Sequence, residues 1–119
     1  MKIYKCLSNK QIYQNDMITM LPIRVQDKYD IMKWRNEQIF HLRQDVKLTK
    51  QMQDSYFKDK ILPSFDEENP SQILFSVLKD KRIIGYGGLV HIDWINQNAE
   101  ISFLMDTQLE EVFFEVYWE

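Results

Sequence analysis

A single cysteine, three glycines and three prolines in 119 residues are the first constraints on this chain. With Cys6 alone, no intramolecular disulfide can form and no cysteine-based zinc set can be assembled. No run of about 18 apolar residues occurs, so no membrane-spanning helix is expected. The N-terminus carries Lys2, Lys5 and Lys10, but Ile3, Tyr4, Cys6 and Leu7 make no apolar stretch long enough for a signal peptide. These absences fit a reducing cytoplasm, with no membrane as partner. Positive charge is scarce too: 15 Lys and Arg against 18 Asp and Glu leave a net charge of -3. Phosphate contact relies on clustered Lys and Arg, and none clusters here, so nucleic acid is not an expected partner.

What is present, 45% hydrophobic and 28% charged residues, suits one globular domain over 1–119. Residues 1–16 show no clear period and read as an N-terminal extension or a loosely docked strand. Met17 to Val25 is apolar and β-compatible, with Pro22 placing it at an edge or near a strand end. Asp27 is positioned as the N-cap of a helix from about Lys28 to Gln38, and Thr49 as the cap of a second helix that Pro63 ends. Residues 63–72 read as a loop. Ile73 to Leu78 and the run IIGYGGLVHIDW, separated by KDKR, predict a β-hairpin. NAEISFLMD adds a third strand, with Ala99, Ile101, Phe103 and Met105 on one face and Glu100, Ser102, Leu104 and Asp106 on the other. Leu109, Val112, Phe113, Val116 and Tyr117 have helical spacing, opened by the capping-box pair Thr107 and Glu110 and closed by no stop signal. The fold class is α+β, a small, mainly antiparallel sheet with two early helices. Two helices shield one sheet face, so a missing C-terminal half or a partner subunit is expected on the other.

Few residues carry chemical signals. Gly85, Gly87 and Gly88 crowd one strand, which implies a bulge or a close approach of backbone or ligand. GYGG matches neither phosphate-cradling spacing. Glu100 is the carboxylate that alternation sets among apolar neighbours; desolvated, it could act as a general base toward an ammonium, and solvated or salt-bridged it would be structural. His41 and His91 lack metal-binding spacing, and Ser76, His91 and Asp93 lack a nucleophile elbow, so neither a metal site nor hydrolysis is indicated.

Three segments carry a family resemblance. MITMLPIRVQDKYDIMKWRNE, ILFSVLKDKRIIGYGGL and NAEISFLMD, in this order, resemble the opening strand and helix, the hairpin and the fourth strand of GNAT-superfamily N-acetyltransferases, in the branch of the ribosomal-protein alanine acetyltransferases. The resemblance implies transfer of acetyl from acetyl-CoA to the primary amine of a small molecule or peptide. It implies Glu100, in Ala99-Glu100-Ile101, as the base; Phe103, Leu104 and Met105 as the strand that pairs with pantetheine; and Trp34, Arg35, Tyr86 and His91 toward the acceptor.

The chain departs from that family after the fourth strand. A pyrophosphate loop with glycines should follow, yet 107–119 contains no Gly, Arg or Lys, and Glu110, Glu111 and Glu115 would repel a pyrophosphate. The expectation is therefore an acetyltransferase truncated after its fourth strand and inactive by itself. The alternative is a noncatalytic interaction domain, a homo-oligomer that completes its sheet through residues 109–118.

Overall fold

The computed structural model describes residues 2–7, 10–39, 42 and 46–109. Five antiparallel strands form one sheet in the order β1-β2-β3-β4-β5. They are β1 (Tyr13–Gln14), β2 (Ile18–Pro22), β3 (Ile73–Lys79), β4 (Arg82–Asp93) and β5 (Asn98–Met105). Between β2 and β3 lie α1 (Lys28–Glu37), α2 (Lys50–Tyr56), a π-turn over Phe57–Ile61 and a last turn, α3 (Leu62–Ser64). The expected α+β class is what the chain adopts.

Pro22 sits where its missing N–H is harmless. β1 pairs with β2 only at Thr19 and Met20, so the sheet is already open on that side at Pro22, the last residue of β2. Thr49 caps α2 as expected, its side chain accepting from the Met52 N–H at 3.2 Å. Asp27 does not cap α1. Its carboxylate is buried and accepts from Arg24 Nε and Nη2 at 2.7 and 2.8 Å and from Ser76 Oγ at 3.0 Å, tying the end of β2 to β3. The helix continues past Pro63 to Ser64, because the preceding π-turn widens the backbone at the carbonyls a proline ring would strike. Of the stretch 63–72, residues 63 and 64 are thus helical.

The hairpin turns on Asp80 and Lys81, both left-handed at φ 51° and 67°, a primed geometry that matches the strand twist. β4 then bulges, with Val77 opposite Gly85 and Leu78 opposite Ile83. A Cβ at Gly88 would strike the Ile73 carbonyl oxygen, and φ there is +154°. The glycine cluster thus marks close approach of β4 to its neighbouring strands.

The core lies between the helices and one sheet face, with Ile31, Trp34, Phe57 and Ile61 packed toward Leu74 and Leu104. Tyr4 joins it at 1% exposure. Its hydroxyl accepts from the Leu74 N–H at 2.8 Å, taking the place of a strand partner for that amide, and donates at 2.7 Å to the Leu74 C=O, which also accepts from the Ile23 N–H at 3.0 Å. On the other face Leu89, Ile101 and Phe103 are 40%, 76% and 47% exposed, so that face is open among the described residues. The helix and interaction segment read for 109–118 lie, apart from Leu109, outside the described residues.

Tyr4→Phe orphans the buried Leu74 N–H and is expected to cost about 1–3 kcal/mol in urea unfolding. Burial raises the Tyr4 hydroxyl pKa above its ordinary value, with the Leu74 carbonyl opposing. Because the folded value lies above the unfolded one, this group's stabilisation is complete below the unfolded value near about pH 10 and declines above it. Unfolding free energy should fall more steeply above that pH in the native chain than in Tyr4→Phe.

Candidate functional site

A cleft of about 400 Å³ opens between the two long helical segments and the sheet face formed by β3, β4 and β5. Ile31 and Arg35 reach it from α1, Met52 and Tyr56 from α2, and Tyr86 and Leu104 from the sheet. Strand alternation explains the sheet side. Tyr86 is opposite Leu104, Gly88 opposite Ser102 and Val90 opposite Glu100, which sets these residues on the helix-facing surface.

Arg35 Nη1 donates to the Tyr86 hydroxyl at 2.9 Å, joining α1 to β4 across the cleft. Burial pushes the Tyr86 phenol pKa up, and the nearby guanidinium pulls part of that shift back. The phenol is therefore protonated throughout the neutral range. Trp34 is placed elsewhere: it is 4% exposed, packs in the core and is not part of the described cleft wall.

Glu100 shares the cleft-facing register but stands at the rim. Its side chain is 56% exposed and its Oε2 is 4.0 Å from His91 Nε2. It is solvated, with the imidazole beyond hydrogen-bond distance, and is not enclosed by apolar groups as its neighbours in sequence suggest. A second bulge sets this pair: the β4–β5 register shifts between Val90 and Asp93, and His91 adopts φ +50°, a conformation uncommon outside glycine. Ser76, His91 and Asp93 do not act as a unit, since Ser76 is bonded to Asp27 and Asp93 to Asn96 at 2.8 Å. His41 lies outside the described residues.

β5 is the last strand of the sheet. The Asp106 N–H bonds to the Ile84 C=O at 2.8 Å, in register with the pairing of Tyr86 with Leu104. By alternation, Leu104 directs its N–H and C=O toward β4, while Phe103 directs its own toward the open edge. Leu104 is buried, contributing its side chain to the cleft. The Met105 C=O accepts from Gln38 Nε2 at 2.8 Å, which anchors the end of β5 to the end of α1.

Sequence reasoning missed the α2 wall. Met52, Tyr56 and Phe57 read only as helix residues, and their cleft role depends on how α2 crosses the sheet. Gln72 Nε2, donating to the Tyr56 hydroxyl at 2.6 Å, had no sequence signal at all.

An antiparallel sheet with its helices drawn over one face and a cleft between them defines a small α+β domain. The acetyltransferase (GNAT) domain family matches residues 20–114, so the chain belongs to that family, whose general activity is acetyl transfer. A comparison with curated proteins gives no significant match. No helix among the described residues is long and apolar enough to cross a membrane.

A Cβ at Gly87 would strike the Ser102 carbonyl oxygen and come within 2.6 Å of the Phe103 Cα. Gly87→Ala is expected to displace β5 and cost about 1–3 kcal/mol, measured by thermal unfolding.

Proposed function

We propose that this chain binds acetyl-CoA along the open edge of β5 and a primary amine in the adjoining cleft, and promotes N-acetyl transfer between them. The observation that carries the proposal is the Phe103 backbone, aimed outward beside an apolar cavity on a GNAT-family sheet. Its N–H and C=O offer one donor and one acceptor to the pantetheine amides, as a sheet edge does to an added strand. The likeness to the ribosomal-protein alanine branch belongs to the same proposal and rests on the sequence segments that carry it, helix α1 ending in Trp34-Arg35-Asn36 among them.

The fit to the rest of the cofactor is poor among the described residues. After β5, Asp106 Oδ1 accepts from the Gln108 N–H at 3.0 Å and Asp106 O from the Leu109 N–H at 2.9 Å. Amides that a pyrophosphate would use are therefore engaged by an aspartate, whose charge also opposes an anion. Among the described residues, contacts are therefore assigned to the pantetheine arm and none to the pyrophosphate.

Acetyl-CoA supplies the acetyl group as a thioester. The cleft orients the amine, whose attack forms the amide C–N bond as the thioester C–S bond breaks; Glu100, on the cleft-facing register at the rim, accepts the amine's proton through a bridging water, and the departing thiolate takes up a proton from solvent. Arg35 and Tyr86 hold the acceptor side together, and His91 faces Glu100.

Calorimetry should give similar affinities for acetyl-CoA and S-acetylpantetheine, because the arm is what the chain grips. Absence of binding by both removes the proposal; a preference for acetyl-CoA of about a hundredfold or more, roughly 2.7 kcal/mol, would mean a pyrophosphate site exists. Acetyl transfer followed by mass spectrometry should fall about 10²–10⁴-fold in Glu100→Gln. An unchanged rate across pH rules Glu100 out as the base.

A further inference from the structure

Alternation along β5 turns the backbone N–H and C=O of Ile101, Phe103 and Met105 away from β4, into the open edge of the sheet. One of these carbonyls is already taken. Gln38 Nε2 donates to the Met105 C=O at 2.8 Å and to Thr107 Oγ1 at 3.2 Å, and Thr107 Oγ1 donates in turn to Glu37 Oε1 at 2.8 Å. The orientation of the Gln38 amide follows from its partner, since a carbonyl oxygen only accepts and the NH₂ end must therefore face Met105. Its base is fixed as well: the residue is 8% exposed, and its backbone N–H donates to the Trp34 C=O at 2.9 Å, closing α1.

A glutamine amide in this position does what the peptide N–H of an added strand would do. It occupies the β5 edge at Met105, and the next outward-facing residue, Phe103, lies two residues back, about 6.6 Å along the strand. A ligand that pairs as a strand can slip by two residues without changing which face its groups meet, so the edge alone does not specify where it binds. The Gln38 amide removes one of the registers.

From this we infer that Gln38 is a positioning residue for the acetyl donor: it ends the strand-addition site at Met105 and fixes the register in which the pantetheine amides pair, at Phe103 and Ile101. This rests on the pantetheine reading of the β5 edge. Gln38 touches neither the thioester nor the amine and acts through the end of the strand. Thr107, with its proton given to Glu37, keeps an oxygen lone pair for the Gln38 amide and so helps to orient it.

The test uses binding, so it does not depend on transfer. S-acetylpantetheine is titrated by calorimetry into the native chain, into Gln38→Met, which keeps the side-chain length and removes the donor, and into Gln38→Glu, whose ionised carboxylate has no proton to offer the Met105 oxygen. Amide hydrogen exchange is read on the same samples, with the Leu104 amide as the internal reference for an intact sheet. Both variants should bind about tenfold more weakly, and the slowing of the Phe103 amide by ligand should be largely lost in each. Without ligand, the Asp106 amide, which bonds the Ile84 C=O just past Met105, should exchange about tenfold faster in the variants while Leu104 holds its rate. Native affinity and native Phe103 slowing in both variants overturn the inference. If the native chain itself fails to bind S-acetylpantetheine, the pantetheine reading is removed and Asp106 decides: faster exchange confined to the strand end keeps Gln38 as the residue that closes the β5 edge, and unchanged exchange overturns that too.

Discussion

The backbone of β4 runs so close to its two neighbours that Gly87 and Gly88 have no room for a Cβ, and the rest of the molecule is arranged around that approach. At Gly88 the obstacle is the Ile73 carbonyl of β3; at Gly87 it is the backbone of β5 at Ser102 and Phe103. With side chains removed there, bulges on either side take up the mismatch in register. Tyr86 comes just before the close contacts and points to the helices, and Phe103 is held at the outer edge. The cleft and the open strand edge are thus two results of one packing constraint.

A second constraint ties the helices to this sheet. The buried Asp27 joins Arg24 and Ser76, Gln38 grips the end of β5, and Arg35 reaches Tyr86. Apart from the local Arg24–Asp27 pair, each bond spans elements distant in sequence, and together they set how α1 crosses the strands. Thr107 Oγ1, which donates to Glu37 Oε1 at 2.8 Å, extends the same tie to the residues after β5.

Local signals carried much of the fold. The hairpin was legible because KDKR interrupts two β-compatible runs, and the Thr49 cap because its geometry involves only residues three apart. Tyr4 was not: its hydroxyl bonds Leu74, seventy positions away, and no periodicity encodes that. Asp27 has the residue type of a cap, but Arg24 and Ser76 compete for its carboxylate and win by offering three bonds within the core. Among the site residues, Arg35, Tyr86, Phe103 and Leu104 do meet at the cleft. Trp34 is drawn into the core, and Glu100 with His91 is carried to the rim by a bulge that alternation alone does not predict.

The central claim is that β5 offers its edge to the pantetheine arm beside an amine-binding cleft. Amide hydrogen exchange, read residue by residue with and without saturating acetyl-CoA, addresses it most directly. The Phe103 amide, aimed outward, should exchange rapidly in the free chain and slow on binding, while the Leu104 amide, already bonded to β4, should change little. Unchanged exchange at Phe103 with acetyl-CoA bound elsewhere would contradict the account.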